Sequence, residues 1–200
     1  IFDELITGFR CAPGGPQEYY GVLPDLTTLG KILAGGLPGA AVAGRGDILE
    51  PLESREDEEW NLHKKMFHYG TFNANPLSAS AGIVTLKIVA TGEPISRANK
   101  MTSMLIKGMN EVIDKHRIPW CVHGEFSGFR FLLNHTCRKR ASCNFRNCDY
   151  DYKKLKGAND PVLVQNLRCG MLLNGIDVAK QGGWVSAAHS AEDVEKTIIG

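Results

Sequence analysis

Lys31 stands at a place where a solvated charge is out of character, and Asp3 at the end of an apolar run. Ile1-Phe2-Asp3-Glu4 runs from apolar residues into an acidic pair, with Thr7-Gly8 just beyond. A buried strand looks like this where it emerges at the carboxyl end of a parallel sheet, the end at which α/β proteins place their ligands. Lys31 falls between the run Pro24-Asp25-Leu26-Thr27-Thr28-Leu29-Gly30 and the glycine-rich turn Ala34-Gly35-Gly36-Leu37-Pro38. A carboxylate at a strand end can accept a hydrogen bond from a protonated pyridine nitrogen, and a partly desolvated lysine amine can form a Schiff base. Both are roles that proteins supply to pyridoxal phosphate, which acts as an electron sink. Spacing alone leaves a plainer alternative open, in which Asp3 caps a turn and Lys31 is a surface charge.

The elements around these residues follow from periodicity and punctuation. Residues 1–6 read as a buried strand and 8–24 as a long functional loop, broken by Gly14, Gly15, Pro16 and Gly21. Short strands are predicted over 26–30 and 40–44, flanking the lysine turn, and one helical turn over 47–52. The charged run 53–59 reads as a solvated loop. Asn75 as cap and Pro76 at the first helical position start a helix to about residue 91. Its apolar residues are Leu77, Ala81, Val84, Leu86, Ile88 and Val89. Just upstream, the Thr71 hydroxyl with nearby backbone N–H groups suits a phosphate; a threonine that merely ends a strand is the alternative.

Gly92-Glu93-Pro94 marks a border, dividing the chain into 1–92 and 93–200. Beyond it Ile95, Ala98, Met101, Leu105, Met109, Val112 and Ile113 recur at three- and four-residue steps, predicting a helix of about 22 residues with its methionines in the core. Trp120-Cys121-Val122 and Phe129 to Leu133 read as strands, and Asp160-Pro161 caps a helix ended by Asn174-Gly175. Trp184-Val185-Ser186 reads as a strand before a final helix with a Ser190–Asp193 capping box. Mixed strands and helices suit a small α+β domain.

Composition narrows the classes. The 200 residues are 43% hydrophobic, enough for a real core, and the net charge of +1 gives no reason to expect a nucleic acid or an acidic membrane surface as partner. No apolar run approaches the roughly 18 residues that span a bilayer, and no signal peptide is recognisable. The six cysteines form no paired C-x-x-C arrangement, and the histidines make no i, i+4 pair, so no metal site is expected. Free thiols in a reducing, cytoplasmic setting are the default expectation. The basic, cysteine-bearing stretch 136–157 reads as an irregular surface loop; a metal knuckle or a nucleic-acid loop there is the weaker alternative. Because the chain opens inside a strand without an initiator Met, it is expected to be the C-terminal part of a longer protein.

Several ordered motifs carry a resemblance over essentially the whole chain. Ile1 to Arg10, then Gly14-Gly15-Pro16-Gln17-Glu18-Tyr19-Tyr20-Gly21-Val22, then Asp25 to Lys31, resemble the signature of class III pyridoxal-phosphate aminotransferases. The likeness continues through Gly70-Thr71-Phe72-Asn73-Ala74-Asn75-Pro76-Leu77 to Ser186-Ala187-Ala188-His189, and Gln17 to Lys31 is most similar to the glutamate-1-semialdehyde aminomutase branch. The resemblance implies a fold-type I α/β transferase: the C-terminal half of the large cofactor domain, then a small α+β domain. It implies an internal aldimine at Lys31, Asp3 at the pyridine nitrogen, Leu5 packed against the ring, and Thr71 on the phosphate of a cofactor held mainly by the other subunit of a homodimer. It also implies a small amino acid or amino-ketone substrate, with the phosphate loop and the ring-stacking aromatic in the part of the family's chain that precedes these residues. Departures lie at Leu5, where the family more often has a smaller β-branched residue, at Pro38-Gly39-Ala40-Ala41, and at Lys180 to Trp184, which lacks an acidic residue expected of aminomutases. The alternatives are an aminotransferase using a separate acceptor such as pyruvate, and a truncated, non-catalytic dimerising or interaction relative.

Overall fold

The computed structural model describes residues 1–133, 151, 153 and 160–200. Most of the 136–157 stretch, including Cys137, Cys143 and Cys148, lies outside the described residues, as does His135. The chain divides into two compact units, Ile1–Glu93 and Pro94–Gly200.

The first unit is built on a three-stranded sheet in the order β1 (Phe2–Asp3), β2 (Leu26–Gly30), β3 (Ala40–Gly44). β1 and β2 pair in parallel, with Asp3 opposite Thr28. β2 and β3 pair antiparallel, with Gly30 opposite Ala40 and Leu26 opposite Gly44. Residues 1–6 were expected to be one buried strand; only Phe2 and Asp3 form it, Asp3 is exposed and Ile1 is 82% exposed. The extended run stops because Thr7-Gly8 turns the chain: the Gly8 N–H donates to Glu4 O at 2.9 Å, and a Cβ on Gly8 would sit 2.7 Å from that oxygen. The expected 8–24 loop contains a short helix, α1 (Gly15–Tyr20), which begins with Pro at its first turn and ends at left-handed Gly21.

After β3 come α2 (Gly46–Leu49), a 3-10 turn (Glu50–Leu52) and a π turn (Trp60–Lys64). Arg45 ties the β2–β3 end down, with one guanidinium nitrogen 3.0 Å from Asp25 and another 2.6 Å from Asp47. The charged run 53–59 is exposed except at half-buried Arg55, as a solvated loop is, and Arg55 anchors it. Arg55 lies 3.6 Å from the centre of the Trp60 ring, and Asn61 bonds both the N–H and the C=O of Arg55. Helix α3 (Pro76–Val89) then starts where predicted, with the Asn75 side chain accepting from Leu77 and Ser78 N–H. Its buried residues are Ser78, Gly82 and Val89, whereas Leu77, Ile83, Val84 and Ile88 are more than half exposed. The sequence marks the helix as largely apolar without choosing a face; apart from Val89, it is the small residues that pack, for a reason given by the lysine turn below.

The second unit has α4 (Glu93–Lys115) against a sheet ordered β4 (Cys121–His123), β5 (Gly128–Leu132), β6 (Gly182–Trp184), all antiparallel, with α5 (Pro161–Leu173) and α6 (Ala191–Ile199). Met101, Leu105, Met109 and Ile113 sit at successive four-residue steps and pack with Val122, Phe131, Met171, Val185 and Val194, so the α4 methionines are core. The expected strand at 184–186 lies instead at Gly182–Trp184. There the glycines permit close pairing: a Cβ on Gly182 would meet Phe129 O at 2.3 Å.

Asn110, 7% exposed, staples α4 to the edge strand β4. Its side-chain amide donates to Val122 O at 2.7 Å, and its carbonyl accepts from Val122 N–H at 2.9 Å. Asn110→Ala would strand both backbone groups of Val122 away from water, and should destabilise this unit by about 3 kcal/mol in urea unfolding.

Candidate active site

Parallel pairing of β1 and β2 brings two chemistries to one edge. β1 ends at Asp3, and β2 ends at Gly30 with Lys31 immediately after it. Asp3 Oδ1 accepts from Thr28 Oγ1 at 3.1 Å, across the strand pair, and from Leu5 N–H at 3.2 Å. Among the described residues its second oxygen has no donor, so a further N–H can be accepted there.

Lys31 opens a single 3-10 turn, Lys31–Ala34, and its backbone has φ 51°, in the left-handed region. That conformation costs a side-chain-bearing residue about 1 kcal/mol or more, and a non-glycine outlier of this kind concentrates at functional positions. Gly30 before it is extended, and a Cβ there would fall 2.8 Å from Leu5 Cδ2. Leu5 therefore lies over the root of the lysine. Among the described residues Lys31 makes no ion pair, which leaves its amine uncommitted.

The turn is seated from below by α3. Gly82 approaches so closely that a Cβ on it would meet Leu33 O at 2.9 Å. A Cβ on Gly35 (φ +61°) would meet Thr85 Oγ1 at 2.5 Å, and one on Gly39 would meet Ala34 Cβ at 2.6 Å. Ala34 is 3% exposed. Backbone against backbone leaves room only for small side chains, which is why α3 buries Ser78 and Gly82. The spacing 78, 82, 85 is a helical face, and this small-residue face is the signal that a search for large apolar residues passes over. Thr28, the hydroxyl partner of Asp3, was likewise not singled out in the sequence, although it stands in the run leading to Lys31.

Thr71 is exposed, in a turn closed by Asn73 N–H on Gly70 O at 3.0 Å and by Asn73 Nδ2 on His68 O at 2.9 Å. Asp3, Leu5 and Lys31 are thus brought to one edge; no described contact joins Thr71 to them. Leu5 and Thr28 line a mainly apolar cleft of about 840 Å³, with Val42, Phe72, Ile83 and Leu86 among its other walls. Asp3, Lys31 and Thr71 are not among its lining residues. No group of three metal-ligating side chains exists among the described residues, and no helix among them is long and apolar enough to cross a membrane. His189 is engaged locally, its Nδ1 accepting from Ser186 N–H at 3.0 Å.

The family model of the class-III aminotransferases matches residues 1–131, and the chain belongs to that family. It is 36% identical to the glutamate-1-semialdehyde 2,1-aminomutases of Archaeoglobus fulgidus and Methanothermobacter thermautotrophicus, over 99% of this chain and 43% of theirs. Among solved structures, an omega-transaminase from Sphaerobacter thermophilus aligns with a TM-score of 0.76 at 28% identity, over 99% of this chain and 42% of that one. A glutamate-1-semialdehyde aminomutase from Pseudomonas aeruginosa shares the fold, with a TM-score of 0.76 at 22% identity. The fold is that of the pyridoxal-phosphate-dependent transaminases of fold-type I. The chain spans about two-fifths of the length of the relatives it matches. Pyridoxal phosphate is the cofactor to which the family and its structures point.

The strain at Lys31 gives a separable prediction. Lys31→Gly should raise stability by about 1 kcal/mol in thermal or urea unfolding, because glycine adopts φ 51° freely, while Lys31→Ala should not. Equal stability of the two variants would mean that the turn holds no such strain.

Proposed function

We propose that this chain carries the lysine half of a pyridoxal-phosphate enzyme that moves an amino group on a small amino acid or amino-ketone. The observation that carries the reading is the pairing of Asp3 and Lys31 at adjacent parallel strand ends, one with an open carboxylate oxygen and the other held left-handed. The residues fit the group: an acceptor for a pyridinium N–H, an amine for an aldehyde carbon, and Leu5 between them as an apolar surface for a ring. When bound, pyridoxal phosphate accepts the electron pair left on the substrate's α-carbon as its proton departs. Lys31 Nζ would be the amine that holds the cofactor's aldehyde group, and its free form would be the base that moves the proton at the substrate's α-carbon. Asp3 keeps the ring nitrogen protonated through a charge-assisted hydrogen bond. Thr71 holds the phosphate of a cofactor bound mainly by a second subunit, so the working unit is a homodimer in the cytoplasm.

Identity of 36% to aminomutases favours movement of the amino group within one substrate molecule. The omega-transaminase likeness keeps intermolecular transfer as the second reading. An aminomutase turns over a single substrate, glutamate-1-semialdehyde for the relatives, with no added acceptor; a transaminase stalls until a keto acid such as pyruvate is supplied.

Borohydride reduction with pyridoxal phosphate, followed by peptide mapping, should put the pyridoxyl label on Lys31 in the longest form of the protein. Label scattered over many lysines would refute an organised site and favour an interaction role. Lys31→Ala should abolish turnover. Asp3→Asn should slow it by about 100-fold, the worth of one charge-assisted bond of roughly 2–3 kcal/mol, with little change in melting temperature.

A further inference from the structure

Between Asp3 and Leu5 lies the most deeply buried acidic residue described in the first unit. Glu4 is 2% exposed, and its Oε1 has no hydrogen-bond partner among the described residues. Its main chain is committed on both sides: Glu4 N–H donates to Thr28 O at 3.0 Å, and Glu4 O accepts from Gly8 N–H at 2.9 Å. Its side chain meets the start of α1. There the cap position is Gly14, which has no side chain to offer the helix's free N–H groups. The Glu4 carboxylate supplies what is missing, accepting from the Gln17 N–H. A Cβ on Gly15 (φ +73°) would lie 2.2 Å from Glu4 Oε2, so this glycine is the space into which the carboxylate fits. Glu18 takes the Gly14 N–H at 2.5 Å, completing the cap from within the helix. Burial pushes the Glu4 carboxyl above its ordinary pKa, and the Gln17 bond partly offsets this. An acid kept in so unfavourable a place, bonded to one helix start, has a positional task.

We propose that Glu4 is a positioning residue for Asp3: its carboxylate caps α1 from eleven places upstream, and so locks residues 4–8 and the α1 loop against the end of β1. Asp3 depends on that lock because Leu5 N–H, one of the two donors to its Oδ1, comes from the far side of Glu4. Without the side-chain anchor, residues 4–8 are held by main-chain bonds alone, and the free oxygen of Asp3 is no longer aimed. This rests on the cofactor reading above for its consequence, and on the geometry of α1 for its cause.

The test compares native protein, Glu4→Ala and Glu4→Gln in the longest form of the chain. It uses hydrogen exchange over residues 15–20 and the dissociation constant of pyridoxal phosphate from absorbance titration. Glu4→Ala should speed exchange in α1 and weaken cofactor binding, each by about tenfold, the worth of one lost cap. Glu4→Gln should restore both to within about threefold, because the amide oxygen still accepts from Gln17. Native values in Glu4→Ala would overturn the proposal. So would faster exchange with unchanged cofactor affinity, which would make the carboxylate a structural cap only, and so would a Glu4→Gln as impaired as Glu4→Ala. Failure of the cofactor reading is told apart from these, since it shows already in the native protein as absence of label on Lys31.

Discussion

The absence of space between the lysine turn and α3 is the constraint on which the rest of the first unit depends. Leu33 O lies where a side chain on residue 82 would be, and Thr85 lies where one on residue 35 would be. Close backbone approach fixes the height and tilt of the turn, and the turn in turn fixes where β2 stops and in which direction Lys31 leaves it. A lysine forced to φ 51° by that seat cannot relax without lifting the turn off the helix. Small residues at 78 and 82 are as much part of the lysine's environment as its own neighbours in sequence.

The acidic side of the site is held by different means. Asp3 is oriented by hydrogen bonds, from a hydroxyl on the adjacent strand and a backbone N–H two residues on, rather than by packing. Hydrogen bonds of this kind fix direction at modest net energy, whereas close packing fixes position. In the proposed roles, an amine that swings between partners needs a firm base and a mobile tip, and a carboxylate that stays on one ring nitrogen needs its angle set. The two residues receive the support that suits these different tasks.

Much of this is legible in the sequence. Charge at the end of an apolar run marks a strand end for Asp3, and Gly-rich punctuation marks the turn after Lys31; both survive in the structure, as do the Asn75 and Ser190 helix caps. What was not legible depends on who packs against whom. The pattern of α3 is apolar all round, so periodicity cannot say that Ser78 and Gly82, rather than Leu77 and Val84, meet the unit. The shortness of β1 is set by a single close contact at Gly8. Capping of α1 by Glu4 is tertiary, and local rules look for a cap at the glycine that precedes the helix. Strand Gly182–Trp184 was misplaced because glycines weaken a strand signal even where close pairing demands them.

The parallel pairing of β1 with β2 has a consequence for how the site comes together. The β2–β3 pair is closed by the short connection 31–39, but β1 reaches β2 only across residues 4–25. The longer closure costs about 0.8 kcal/mol more in chain entropy, and β1 returns only two residues of pairing for it. The lysine arm is therefore the part that assembles locally and persists. The aspartate arm is the one that comes last in folding and frays first on warming, so the electrostatics of the site melts before its scaffold does.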